Sequence, residues 1–326
     1  MKKFYNLQLF AEPNTNLTSS AGLSDEMKTY YSDYLIDNAT PKLVHDQFGQ
    51  KHPIPKNGGK TIEFRKYSPL PKLTTPLQEG VTPDGQSLNM TTVEATVAQY
   101  GGYITLSDML LLTAIDNNLV QATKLLGAQA GATLDTITRE VLNGGTNTIF
   151  AGGKDARADL DETSLLTVAD VKKAVRLLKN QNAEKIEGSW VGIIHPDISY
   201  DLTNDPNWKD VKTYSDPSDI YEGEIGKLYG VRFVETTEAK IWAGAGTNGR
   251  AVYSTLILGD NAYGVTEITG GGLQHIVKQL GSAGTADALD QRATAGWKAT
   301  KVAERLVETY MVRIESCSTF DPKENN

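Results

Sequence analysis

From Lys60 the chain alternates, with Ile62 and Phe64 apolar against Glu63 and Arg65, and a matching run returns at residues 92–100 with Val93, Ala95 and Val97. The two runs predict an antiparallel hairpin. Between them a polar stretch carries Pro69, Pro71, Pro76, Pro83, Gly80 and Gly85, too long for a tight turn and too broken for further regular structure. Gly101 and Gly102 then punctuate the chain, and the apolar period lengthens. Leu111, Ile115, Leu119, Ala122, Leu126, Ala130, Leu134, Ile137 and Val141 recur at steps of three and four, with Ser107 or Asp108 available as N-cap and Asn143, Gly144 and Gly145 as the stop. This predicts one helix over 107–142, about 36 residues or ~54 Å at 1.5 Å per residue. Its middle is small (Gly127, Ala128, Ala130, Gly131, Ala132), which costs about 1 kcal/mol per glycine relative to alanine but lets another backbone approach closely.

Downstream, Thr167 followed by Asp170 predicts a capped helix through Asn180 with Val171, Ala174, Val175 and Leu178 inward. Strands are expected at 190–194, 231–234, 252–258 and 273–280, with a short helix opened by Pro196 and Asp197 and a final alternation through Tyr310, Val312 and Ile314. Upstream, residues 1–23 are polar and 24–38 can form a short helix, so the beginning reads as an arm. Strands and helices mix without a regular beta-alpha repeat, which makes the class α+β.

Composition narrows the function. At 326 residues and 39% hydrophobic the chain can bury a real core. A formal net charge of -8 argues against a surface built to grip nucleic acid. The one cysteine, Cys317, forms no internal disulfide, reads as a small apolar residue of a strand, and fits a reducing compartment such as a bacterial cytoplasm. The opening residues 1–11 carry no signal-peptide pattern, and no apolar run approaches the roughly 20 residues that span a bilayer, so no membrane role is expected.

Motifs that carry chemistry elsewhere lack their context here. Gly244, Gly246 and Gly249 spell the dinucleotide fingerprint, but a strand follows where a helix N-terminus should face a pyrophosphate, so a hairpin loop is the better reading. Gly59, Lys60 and Thr61 imitate the end of a phosphate loop without its first glycine. His195, Pro196 and Asp197 read as a strand-to-helix turn. The four histidines (His45, His52, His195, His275) lack metal-ligand spacing, no serine sits in a nucleophile elbow, and no acid pair is set in apolar surroundings. No catalytic, cofactor-binding or metal residue is assigned. The charges of the last segment (Lys298, Lys301, Glu304, Arg305, Glu308, Arg313, Glu315) read as a solvated face that could also pair with a neighbouring subunit.

A hairpin with a long Pro-rich tip is marginal in water unless its apolar face is covered. Burying Ile62, Phe64, Val93 and Val97 against a neighbour would gain on the order of 10 kcal/mol gross, much of it cancelled by association costs. A small surplus per contact suits reversible assembly of many copies.

This order of elements resembles the major capsid proteins of tailed bacteriophages, the Hong Kong ninety-seven-like fold, over nearly the whole chain. Residues 60–100 resemble its extended E-loop, 107–142 its spine helix and 190–267 its axial domain. Within the last, Val191 to Pro196, Gly223 to Val234 (GEIGKLYGVRFV) and Leu258 to Tyr263 (LGDNAY) are similar to family segments, and the opening MKKFYNLQLFAE is similar to that of the N-four-like branch. The resemblance implies an N-terminal arm at 1–59, an E-loop hairpin at 60–104, a peripheral domain with the spine helix at 105–189, an axial domain at 190–267, and returning peripheral strands at 268–326.

It further implies hexamers and pentamers tiling an icosahedral head around double-stranded DNA, a structural and not an enzymatic role, and no cofactor. The E-loop would lie over a neighbouring subunit through Ile62, Phe64, Arg65, Tyr67, Lys72, Glu79, Val93 and Val97. Implied partners are further copies of the chain, a separate scaffolding protein, a portal, and packaged DNA as a non-specific neighbour. The expected place is the virion capsid, assembled in the bacterial host cytoplasm. The alternatives are an encapsulin-like cargo shell, which would assemble unaided around an enzyme, and a soluble α+β enzyme.

Overall fold

The computed structural model describes residues 15–16, 44–77, 79–80, 82, 84–113, 118–208, 226–282 and 287–322. The helix expected at 24–38 lies outside them. The described elements are β1 (Thr15–Asn16), β2 (Gln50–Lys51), β3 (Thr61–Tyr67), β4 (Met90–Thr96), β5 (Ala98–Ser107), α1 (Asp108–Thr113), α2 (Asn118–Asn143), β6 (Thr148–Phe150), α3 (Val168–Asn180), β7 (Trp190–Ile194), α4 (Pro196–Asn204), β8 (Lys227–Leu228), β9 (Val231–Glu235), β10 (Ile241–Trp242), β11 (Val252–Leu258), β12 (Tyr263–Thr266), β13 (Gln274–Lys278), β14 (Arg292–Arg305) and β15 (Met311–Ser316).

α1 begins where the cap of the long helix was expected, because the Ser107 hydroxyl accepts from the Leu110 N–H at 3.2 Å. The stretch expected as one helix over 107–142 is described as α1 and the 26-residue α2, with 114–117 outside the described residues. α2 packs on β14 and β5 through Leu119, Leu126, Ala130 and Leu134 against Leu106, Ala295, Trp297 and Ala299. The close approach that its small residues predict is therefore made to its own sheet.

β14, which sequence reading did not find, is the axis of that first sheet. The strand order is β1-β5-β14-β12-β2, with β13 also on β14. β14 runs for 14 residues, antiparallel to β5 from Arg292↔Ser107 to Lys301↔Ala98 and then to β12 at Thr266↔Val302. Its buried positions Ala293, Ala295, Trp297, Ala299 and Ala303 alternate as a strand requires, yet most are alanine, which carries little β signal. The small side chains leave room for the helix axis above them.

The second sheet follows the order β6-β15-β11-β7-β9-β8, with β10 on β11. Every residue of β11 is buried, since α3 and α4 cover one face and a second apolar cluster around Leu142, Leu256, Leu258 and Met311 covers the other. Thr167 caps α3, its hydroxyl accepting from the Asp170 N–H, and His195 Nδ1 caps α4, accepting from the Asp197 N–H at 3.2 Å. The loop through Gly244, Gly246 and Gly249 joins β10 to β11, as its sequence context suggests, and Gly244 and Gly249 adopt φ of 69° and 73°.

Strand pairing cuts across the expected borders. β6 and α3, from the 105–189 range, and β15, from the 268–326 range, build the second sheet and its cover, while β12, from the 190–267 range, pairs with β14 in the first. Alternation identified β15 as a strand but carries no address for its partner.

The residues before the hairpin are also tied down more firmly than an arm. Asp135 of α2, fully buried, accepts from both the backbone N–H of His45 at 2.8 Å and its Nδ1 at 2.6 Å. Asp46 accepts from Thr138 at 2.5 Å and from Lys301 of β14, and Tyr263 of β12 donates to the His45 carbonyl. Ile54 bridges Ile268. Residues 44–54 thus form a strap across the spine helix and the first sheet.

Three charges expected on a solvated face are inside: Lys301, Arg313 and Glu315 are 5%, 9% and 0% exposed. The Glu315 carboxylate accepts from Arg157 Nε and Nη2 at 2.6 and 2.7 Å and from Arg313 Nε at 2.8 Å, so burial is offset by bidentate pairing. Burial itself pulls Lys301 and Arg313 below their ordinary pKa values, against the upward pull of Asp46 and Glu315. Alternating charge on a strand reads the same in sequence whether its partners are water or other side chains.

Candidate assembly surface

The hairpin forms in the register its alternation predicts, from Thr61↔Thr96 to Tyr67↔Met90, and Ser68 N–H to Asn89 C=O at 2.9 Å closes one further rung. The expected second arm, 92–100, divides at Val97. β4 stays in the hairpin and β5 enters the first sheet.

At its base the hairpin rests on its own subunit. Phe64 meets His52 of the strap edge-on with centroids 5.7 Å apart, and its ring lies over Gly264, where a Cβ would come within 3.1 Å of Cζ. Leu306, Val307 and Asn261 line an open recess together with Ile62, Phe64 and Val93. These three are half-buried and Val97 is 8% exposed. Within one chain the apolar face expected to need a neighbour is half-covered, by the strap and the β12 and β14 ends. Arg65, Tyr67, Lys72 and Glu79 remain exposed, and Arg65 lies 3.6 Å from Glu63.

The uncovered surface lies further out. Tyr67, Leu70, Leu73, Leu77, Leu88 and Met90 are 62%, 52%, 78%, 75%, 71% and 46% exposed. Single exposed leucines are ordinary, but six large apolar side chains along one projecting hairpin form a surface that a lone soluble chain has no reason to keep. Sequence reasoning passed over the leucines because Pro69, Pro71 and Pro76 break any period they could show. The usable signal was their number in a loop otherwise polar.

The rest of the molecule offers no reaction centre in its described residues. His195, pulled below its ordinary pKa by burial, caps a helix; Tyr253, pushed well up by burial, donates to Asp197 at 2.6 Å, and Ser199 donates to Glu235. Each bond fixes α4 to the second sheet. No cluster of described residues could hold a metal ion, and no described helix is long and apolar enough to cross a membrane.

A family model described as phage capsid protein matches residues 90–305. No curated protein sequence matches the chain. Among solved structures, the capsid of Ralstonia phage GP4 aligns over 99% of this chain and 100% of its own with a TM-score of 0.66 at 13% identity. The capsid of cyanophage Pam1 aligns over 98% and 100%, with a TM-score of 0.67 at 14% identity. A virus-like particle from Pyrococcus furiosus aligns over 88% and 98%, with a TM-score of 0.51 at 12% identity. The α+β architecture is the Hong Kong ninety-seven-like capsid fold, and the role is structural. With more than half its length matched by the family, the chain belongs to the phage capsid proteins and is a major capsid protein of an icosahedral phage shell.

Proposed function

We propose that copies of this chain tile the shell as hexamers and pentamers around double-stranded DNA, each hairpin tip lying over a neighbouring copy. The observation that carries this is the division of the hairpin. Its base is held by Phe64, His52 and Gly264 of one chain, while its leucines stand in solvent. Covering the six exposed side chains at ~1.5 to 3 kcal/mol each yields on the order of 10 kcal/mol gross. Ordering the tip and joining two bodies consume most of that. The remainder lets misplaced subunits leave before closure.

A separate scaffolding protein and a portal are the further partners of this reading. Packaged DNA is a neighbour and not a ligand, in keeping with the net charge of -8. Assembly belongs to the bacterial host cytoplasm, in keeping with one cysteine, buried and free. The N-four-like branch rests on residues 1–12, outside the described ones.

Replacing Pro69–Leu88 by a two-residue turn keeps the Ser68 to Asn89 rung and tests the reading. Folded, soluble subunits without shells in negative-stain micrographs are expected. Closed shells of ordinary diameter from this variant would overturn it.

A further inference from the structure

A net charge of -8 is a sum, and the cations are not evenly spread. Residues 168–185, which are α3 and the loop after it, hold five cations and two carboxylates. On α3 the inward positions Val168, Val171, Ala174, Val175 and Leu178 are buried. So is its one carboxylate, Asp170, which accepts from Lys173 at 2.8 Å. The outward positions Lys172, Arg176 and Lys179 lie three and four residues apart, so they share one exposed face. Lys172 stands over the Tyr229 ring at 4.6 Å, while Lys179 and Lys185 stand over the ring of Trp190 at 5.8 and 4.9 Å. Gly230 closes the gap, since a Cβ there would lie 3.4 Å from Trp190 and 3.7 Å from Lys185 Nζ.

Two ammonium groups thus converge on one ring, and among the described residues neither they nor Lys172 and Arg176 have an ion-pair partner. Asp205, whose carboxylate feels Lys172, is turned to the backbone N–H groups of Val168 and Asn207, and Glu187 lies beside Arg232. Like charges brought together without a counterion raise the local potential and favour an anion there. The aromatic member is placed at a cost. β8 and β9 pair at Lys227↔Arg232 and Leu228↔Val231, which leaves Tyr229 and Gly230 as a two-residue turn with φ of 51° and 85°. Such a turn favours Asn-Gly, and a bulky side chain at positive φ is disfavoured. Packing does not explain a tyrosine 43% exposed at that position. A phenol beside an ammonium does serve as a further donor to an anionic oxygen.

We propose that this face, made of Lys172, Arg176, Lys179, Lys185 and the Tyr229 hydroxyl, is where the chain meets the phosphate backbone of duplex DNA, without reading its sequence. This rests on the reading that the shell encloses such DNA as a non-specific neighbour, and adds which surface faces it and through which groups. A polyanion suits the site because the cations form a row. Many copies repeat that row, so a weak and salt-sensitive contact per copy suffices. Elsewhere the excess of carboxylates turns phosphate away.

The test compares amine acylation, residue by residue, in DNA-filled particles and in particles emptied of DNA, with Lys56 and Lys298 as references. Lys172, Lys179 and Lys185 should react severalfold more slowly in the filled particles, relative to the references. Equal relative rates would overturn the site. Slow reaction in both would mean that protein covers this face, an acidic partner included, and would overturn it too. Particles holding no nuclease-resistant duplex would overturn instead the reading on which the proposal rests. In unassembled subunits, log affinity for a duplex of about 30 base pairs should fall linearly with log salt. Changing Lys172→Gln, Arg176→Gln, Lys179→Gln and Lys185→Gln together should flatten that slope by about 3.6, at roughly 0.9 per cation. An unchanged slope, or no binding by the unaltered subunit at low salt, would overturn the contact. Tyr229→Asn should weaken binding severalfold while leaving the urea midpoint no lower, because asparagine suits the turn. Unaltered binding in that variant would overturn the part given to Tyr229.

Discussion

Asp46 and Lys301, separated by 255 positions in the chain, meet as a salt bridge whose lysine is 5% exposed. Lys301 also donates to the Leu134 carbonyl at 2.8 Å, so one ammonium joins the strap, the spine helix and β14. Removing one partner leaves a charge without compensation. Lys301→Met is expected to cost about 3 kcal/mol of stability by urea unfolding, whereas adding Asp46→Asn to it should recover more than half. Equal losses in the single and double variants would show that packing and not charge holds the strap.

Ala299 lies 3% exposed between β14 and α2. If close approach sets that packing, one larger side chain should cost more than it gains by its own burial. Ala299→Leu is expected to destabilise by ~1–3 kcal/mol. An unchanged midpoint in urea would mean that the layer has slack.

Leu73 and Leu77 are 78% and 75% exposed, so a lone subunit has almost nothing to lose there. Leu73→Ser with Leu77→Ser should leave its stability within about 0.5 kcal/mol and reduce shell formation severalfold. Both quantities come from one preparation, by thermal unfolding and by sedimentation of assembled material. A large fall in subunit stability would place these leucines in the core instead.

Cys317 packs with Leu160 and Val252, and burial pushes its thiol from 9.0 up to about 11. A thiol raised in the folded state stabilises fully below pH 9 and loses that contribution as pH climbs through the folded value. Stability should therefore fall by about 2 kcal/mol between pH 9 and pH 11, and Cys317→Ala should remove that slope. At pH 8 the folded chain should resist thiol reagents that label the unfolded chain at once. Rapid labelling under native conditions would contradict the burial.

Much of this fold was legible where one signal dominated. Ser107 and Thr167 were readable caps because their hydroxyls serve the next turn, and β7 and β11 were readable because strands buried on both faces are apolar throughout. β14 was not, since its inward alanines match the helix above and not a β preference. Nor was the place of β15, which depends on a partner far away in sequence. In the hairpin, the alternation of Ile62, Phe64 and Val93 correctly announced a face that would be covered, but a pattern cannot tell whose atoms cover it. The strap covers half of it, and the most exposed apolar side chains of the hairpin are leucines without any period.

β15 lies between β6 and β11, so the second sheet cannot be completed until residue 316 has left the ribosome. The hairpin, by contrast, is made from residues 61–96 and can close early. The hairpin's pairing is local in sequence, whereas the second sheet's is not, because β15 must insert between β6 and β11 from more than 50 residues away on either side.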